Sequence, residues 1–402
     1  MSDTQAAGSA LPLAGVRVLD FGRYIAGPYC AAILAEYGAE VIRIDKRGGS
    51  EDRFMWPLAE GCDGGAQFLQ VNRNKLSLTL DPMTDCGREI VRKLVATADV
   101  VIANVPPQTL SAMRLDIDSL RAVKPDIILV LGTAYGTRGP FRDRVGFDSV
   151  GQVMSGAAYL SGTHERPARF QGPWVDFGTA AHLACGTLLA LMARQKTGKG
   201  QVVEGALLGT ALTVNDAVLV EQAVIAKNRV PSGNRGQANA PTDLFRTRDG
   251  WIACHVIGEP LFKRWARLMG EEHWQTDPRF RSDAERGDNR DSICERMGQW
   301  CAGRTTQEAI DELGEAMIPA APVLTPQGAL DHPAVRGMEL FQQLDYPGLP
   351  GPAPVAKVPL WLSETRGRAD RAPTAGEHTD GVLAQLGYSV ADIEELRRTR
   401  VI

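Results

Sequence analysis

The stretch VRVLDFGRYIAGPYCAAILAEYG, residues 16–38, sets the fold class. VRVLD (16–20) is a short apolar run of strand length. Pro28 to Tyr37 follows with helical spacing, which puts Ile33, Leu34 and Tyr37 on one face. Gly27 and Pro28 suit the first turn, because a proline there loses no intrahelical hydrogen bond. The connecting turn, FGRYIAGP, is not GxGxxG. It has no glycine pair to let a pyrophosphate approach the backbone, so a nicotinamide dehydrogenase is disfavoured.

The same alternation continues beyond residue 38. VIRI (41–44) is the next strand, and LSLTL (76–80) alternates as a half-exposed strand would. Gly87 to Ala96 is helical, VVIA (100–103) is a strand, and IILVL (127–131) is another. Strand, helix and strand at short spacing predict an α/β fold with a mostly parallel sheet, whose ligands bind at the carboxyl ends of its strands. Residues 133–175 read as glycine-rich polar loop. The segment TAAHLACGTLLALMAR (179–194) reads as a helix apolar nearly all round, hence buried. A linker at 228–241 and a hairpin signal at Arg248-Asp249-Gly250 open a smaller second domain. Prolines and glycines between 319 and 354 predict an extended stretch.

The chain has 402 residues, too many for one typical core. Its 44 basic and 48 acidic residues nearly balance. That gives no general attraction to nucleic acid or to an anionic membrane. No apolar run is expected to reach the roughly 18–20 residues of a bilayer span, and the N-terminus lacks a signal-peptide pattern. Seven scattered cysteines without a CxxC pair suggest reduced thiols and a cytoplasmic protein. Dispersed histidines leave no zinc pattern, so no metal is expected.

Among single residues, Asp176 stands out. It follows the loop GPWV and precedes the apolar helix. An aspartate there either caps the helix or serves as a poorly hydrated nucleophile, with backbone N–H groups available to an oxyanion. Asp176-Phe177-Gly178 matches a kinase triplet, but no other kinase motif accompanies it. His182 reads as a packed core histidine and His164 as a solvated one. Lys46 and Arg47, directly after a strand, are either a solvated pair or a phosphate clamp.

Taken together, LAGVRVLDFGRYIAGP (13–28), GAEVIRIDKRGG (38–49), NRNKLSLTLD (72–81), ADVVIANV (98–105), GFDSVGQVMSG (146–156), GPWVDFG (172–178), the apolar helix, TGKGQ (197–201) and DGWIACHV (249–256) resemble the class III CoA-transferases, the CaiB/BaiF type. That family includes formyl-CoA:oxalate CoA-transferases and the related α-methylacyl-CoA racemases. The resemblance implies a Rossmann-like large domain plus a smaller α+β domain, in an interlocked, ring-shaped homodimer. It implies a large domain over 1–225, a small domain over 226–325, and an extended return over 326–402 that completes the large domain.

Residue by residue, the family's nucleophilic aspartate falls on Asp176. Its CoA contacts fall on Tyr24, Ile25, Ala26, Lys46, Leu80, Asp81, Pro82, Met83, Asn104 and Val105. Two family cations are missing, at Ala112 and Val145, with Arg144, Arg142 or Arg114 as substitutes. Racemases carry a histidine where this chain has Phe147, and phenylalanine cannot accept a proton. Asp148 beside it lines the site. The implied activity is transfer of CoA from an acyl-CoA thioester to a free carboxylic acid through covalent intermediates on Asp176. CoA and its esters are substrates, and no tightly bound cofactor is needed. The alternatives are an acyl-CoA racemase or epimerase, or a non-catalytic CoA-ester-binding subunit. Arg138, Arg169 or Arg235 would bind a second carboxylate if the acid is a dicarboxylate. The glycine-bearing segment SGNRG (232–236) is a candidate lid.

Overall fold

A computed structural model describes residues 11–402 of the chain. Two compact units emerge. One comprises the residues up to Ser155 with Gln171–Val214 and Met338–Ile402, and the other comprises Gly156–Phe170 with Asn215–Gly337.

The first unit is built on six parallel strands, β1 (Arg17–Asp20), β2 (Glu40–Asp45), β3 (Lys75–Thr79), β4 (Val100–Ala103), β5 (Ile128–Thr133) and β6 (Val202–Ala206). Their order, β3-β2-β1-β4-β5-β6, is that of a doubly wound sheet. The central strands are buried on both faces, which is why they read as unbroken apolar runs. On one face lie helix α1 (Ala26–Glu36) and the long helix Trp174–Thr197. On the other lies α2 (Asp85–Thr97), capped by the Thr84 hydroxyl, which accepts the Gly87 N–H. The C-terminal helical residues Val382, Leu383, Ile393 and Leu396 close that second core.

Four expectations need revision. Within LSLTL, Ser77 does not face water and Thr79 is only partly exposed. Ser77 and the preceding Lys75 are buried, because Ser77 donates to Asp45 and Lys75 to Asp20. The loop 133–175 contains a helix, α3 (Asp148–Met154). The apolar helix is α4 (Trp174–Thr197), which starts earlier than its apolar run because Trp174, Val175 and Asp176 form the first turn. It is not buried all round. Its Val175, Thr179, Leu183 and Thr187 face is buried, whereas Ala181, His182, Cys185, Leu188, Leu189 and Met192 are exposed. Helix α4 is long and apolar enough to cross a bilayer, but its buried face packs against α1, β5 and β6. Helix α5 (Leu207–Val214) packs beside it. Finally, the proline-rich stretch after residue 319 is only partly extended. Two short helices, Pro326–Asp331 and Pro333–Gly337, lie within it.

The second unit carries an antiparallel sheet of β7 (Thr242–Arg246), β8 (Trp251–His255) and β9 (Ala320–Pro322), with the expected hairpin between β7 and β8. Trp265, Phe262, Phe280 and Met297 fill its core. In the first unit a hairpin of β10 (Phe341–Leu344) and β11 (Ala353–Ala356) follows.

Candidate functional site

A cavity of about 310 Å³ opens beyond the carboxyl ends of β1, β4 and β5. This is the crevice where the strand order reverses, the usual ligand position in such sheets. Arg23, Tyr24 and Ala26 from the β1–α1 turn form one wall. Asn104 and Val105 after β4, the β5 end with its following loop to Phe147, and Asp176 of α4 complete it.

The β1–α1 turn is rigid for identifiable reasons. The Gly22 N–H donates to the Asp20 carboxylate at 2.8 Å. A Cβ on Gly22 would come within 2.7 Å of both Asp20 Oδ1 and Pro28 Cδ, so only glycine fits. Asn104 grips the next residue twice. Its Oδ1 accepts the Arg23 N–H at 2.7 Å, and its Nδ2 donates to the Arg23 carbonyl at 2.8 Å. Tyr24 then takes a left-handed φ of 64°, with its N–H donating to Asp52 at 3.1 Å. A non-glycine residue held there is costly and needs such anchoring. The Tyr24 ring meets Phe147 edge-to-face at 5.4 Å.

Beneath the turn lies a buried ionic cluster. Lys75 donates to Asp20, Asn72 and the Pro28 carbonyl, all within 2.8 Å. Arg43 Nη2 donates to both carboxylate oxygens of Asp52, at 2.7 and 2.9 Å, and its Nε donates to Asp45 at 3.0 Å. Arg53 pairs with Asp45 at 2.6 Å. Burial alone would push the Asp20 carboxyl up, but Lys75 and Arg43 outweigh it and hold it below the usual range. Charges this buried persist only when mutually paired.

Asp176 occupies the third position of α4, so it is not the N-cap. The capping is done by Asp148. One of its oxygens accepts the N–H groups of Val175 at 2.8 Å and Asp176 at 3.2 Å, and the other accepts from Gln152. The Trp174 N–H donates to the Gly172 carbonyl and the Phe177 N–H to that of Pro173. The first-turn donators are thus all engaged within the protein. This corrects the expectation that they are free for an oxyanion. It also corrects the reading of Asp148, which is buried and turned towards the helix rather than lining the cavity. Burial, and secondly the Asp148 charge, push the Asp176 carboxyl up to about 7. A partly protonated carboxyl on a cavity wall beside a second, buried carboxylate is an arrangement suited to covalent or acid–base chemistry.

The profile of CoA-transferase family III matches residues 13–379. This chain belongs to CoA-transferase family III. It is 31% identical over 97% of its length to the succinyl-CoA–D-citramalate CoA-transferase of Chloroflexus aurantiacus, covering 98% of that protein. It is 29% identical to the formyl-CoA:oxalate CoA-transferase of Rhodopseudomonas palustris, over 96% of each chain. The crystal structure of a CaiB/BaiF family protein from Brucella suis superposes with a TM-score of 0.81 at 29% identity, over 94% of this chain and all of that one.

The structure of this family III CoA-transferase gathers part of the expected site. Tyr24, Ala26, Asn104, Val105, Arg144, Phe147 and Asp176 line one cavity. Ile25 is buried behind the turn. Lys46 is exposed and paired at 2.8 Å with Glu51, and it is Glu51 that reaches the cavity wall. Leu80, Asp81, Pro82 and Met83 form the β3–α2 turn and do not line the cavity. Val145, where a family cation is missing, does line it, flanked by Arg144 and by Arg142, whereas Arg114 does not. His182 is exposed on α4 rather than packed, 3.5 Å from the Thr210 hydroxyl. Arg138 and Arg169 are exposed outside the cavity. Arg235 is held by Asp243 and Asp291 in the second unit. SGNRG also lies there, where Ser232 and Gly233 donate to the carbonyls of Leu160 and Gly162.

Two features escaped the sequence reading. Arg23 on the cavity wall is one, and the Asp148 cap is the other. The cluster beneath had a signal: Asp20, Arg43, Asp45 and Lys75 are charges set inside strands otherwise apolar, and these must pair with one another if buried.

Proposed function

We propose that this enzyme moves CoA from an acyl-CoA thioester to a free carboxylic acid, with Asp176 as the covalent nucleophile. The observation that carries the reading is the Asp176 carboxyl itself. It stands on the cavity wall in the first turn of α4, raised to about 7 by burial and by Asp148. At neutral pH a large fraction is ionised, yet poorly hydrated, which favours nucleophilic attack.

In this mechanism the Asp176 carboxylate attacks the thioester carbonyl. The C–S bond breaks, leaving an acyl–aspartyl anhydride and CoA thiolate. The thiolate attacks the aspartyl carbonyl, forming an aspartyl-CoA thioester and releasing the first acid as its carboxylate. The acceptor carboxylate then attacks that thioester, expelling thiolate and giving a second anhydride. Thiolate attack on the acceptor's acyl carbon yields the new acyl-CoA and regenerates Asp176. No proton is gained or lost overall. Water must be excluded throughout, because each anhydride is hydrolysable.

Phe147 supports transfer over racemisation, since its ring offers no second proton acceptor beside Asp176. Relatives named for succinyl-CoA, D-citramalate and oxalate favour small dicarboxylic acids as partners in exchange. We further propose that the enzyme works as an interlocked homodimer in the cytoplasm. The exposed apolar stripe of α4, with Leu188, Leu189 and Met192, is the kind of surface a second copy covers.

The test is replacement of Asp176 by alanine and by asparagine. Both variants should lose transfer, and mass spectrometry of wild type mixed with acyl-CoA should find an adduct on the peptide carrying Asp176. Full transfer activity in either variant would refute the mechanism.

A further inference from the structure

Arg23 is the cation on the cavity wall whose hydrogen-bonding capacity the protein leaves open. Its Nη1 donates to the carbonyls of Gly22 at 2.8 Å and Phe21 at 3.3 Å. Among the described residues only Nη1 of the guanidinium makes a hydrogen bond, and no carboxylate forms an ion pair with Arg23, so Nε and Nη2 are left without a protein acceptor. These two nitrogens form the side-on edge of the guanidinium, the edge that grips two oxygens of one anion at once. The other wall cations are less available: Arg142 pairs with Asp143 at 3.3 Å, and Arg144 lies over the Phe141 ring at 3.9 Å.

The position of Arg23 is fixed in advance. Asn104 clamps its peptide on both sides, and Asp52 holds the next N–H with Tyr24 in its left-handed conformation. With the backbone held there and Nη1 tied to the Gly22 and Phe21 carbonyls, part of the ordering cost that a long side chain otherwise carries into binding is already met. Burial and the neighbouring Arg43 guanidinium both disfavour the charge of Arg23, against the pull of Asp52, Asp45 and Asp20. An arriving anion would relieve that stress.

We propose that Arg23 binds a two-oxygen anionic group of the ligand, in the same cavity as Asp176. The group is either a phosphate of the CoA moiety or the distal carboxylate of a dicarboxylic acyl group. This inference deepens the transferase reading and rests on it for the identity of the ligand.

The experiment measures binding rather than turnover. Calorimetric titrations use the full chain carrying Asp176→Asn, with and without Arg23→Gln, against four ligands: CoA, pantetheine, succinyl-CoA and butyryl-CoA. If the anion is a phosphate, Arg23→Gln weakens CoA about tenfold or more relative to pantetheine. If it is the acyl carboxylate, succinyl-CoA weakens about tenfold or more relative to butyryl-CoA. If neither ratio changes, the proposal is overturned, since an equal loss for all four would mean that Arg23 only shapes the turn. Should Arg23→Gln unfold, Arg23→Lys serves the same comparison. It keeps a donor for the Gly22 carbonyl but lacks the fork, so the affected ratio still falls severalfold. Loss of transfer in the wild type, with an Arg23-dependent ratio intact, would sink the transferase reading alone.

Discussion

Replacing Asp148 by asparagine isolates the charge that acts on Asp176. The substitution keeps an amide oxygen to accept the N–H groups of Val175 and Asp176, and the Gln152 amide can rotate to suit the new donor. What disappears is the negative charge. Asp176 is raised from an ordinary 3.8 to about 7, with burial as the larger cause and Asp148 the second. Removing the second cause should therefore lower the Asp176 pKa by no more than about half of that rise, on the order of 1 to 1.5 pH units. The assay is a single turnover. Excess enzyme is mixed with acyl-CoA, quenched, and the released thiol counted from pH 5 to pH 9. In the wild type the rate should climb with pH through about 7, as the carboxyl ionises. In Asp148→Asn the same limb should sit about one unit lower, so that the variant-to-wild-type ratio rises about tenfold between pH 8 and pH 5.5. The variant should lose about 0.5–1 kcal/mol of helix-terminus stabilisation. Superimposable profiles, or a limb displaced upward, would show that Asp148 does not act through its charge.

Three further outcomes follow from the same geometry. A carboxyl whose pKa is higher folded than unfolded stabilises the fold fully below the unfolded value and loses that contribution as pH rises through the folded one. Asp176→Asn should thus be more stable than wild type at pH 8, by up to about 4 kcal/mol, with the gap closing towards pH 4, as read from denaturant melts at several pH values. Asp20→Asn leaves Lys75 without its buried carboxylate partner and should cost about 3–5 kcal/mol in the same melts; a loss below about 1 kcal/mol would mean that the cluster tolerates an unpaired ammonium. If the proposed homodimer forms, Leu189→Glu on the exposed stripe of α4 should give a monomer in analytical ultracentrifugation where the wild type sediments as a dimer, and an unchanged sedimentation coefficient would count against that face as the interface.

Local pattern was enough to read the parallel sheet, since strands buried on both faces must be nearly continuous runs of valine, isoleucine and leucine. The ordered segments from residue 13 to residue 256 carried the family, and Asp176 with it. Periodicity failed where one residue type serves two environments. LSLTL looks half-exposed, yet its serine and the preceding lysine are buried because partners from β1 and β2 meet them in space. The α4 helix looks buried all round, yet a single chain covers only one of its faces, as apolar composition does not specify what packs against it.

The sheet, the family and the position of Asp176 are legible along the chain. What surrounds Asp176 is legible only in the folded molecule. Asp148 lies 28 residues away, and its carboxylate rather than that of Asp176 caps α4. Asn104 lies 81 residues beyond Arg23, whose peptide it clamps and whose guanidinium edge is left open to the cavity. The physical reason is that capping, charge coupling and burial depend on distance and direction in space. Neither quantity is set until distant turns converge at the carboxyl ends of the strands.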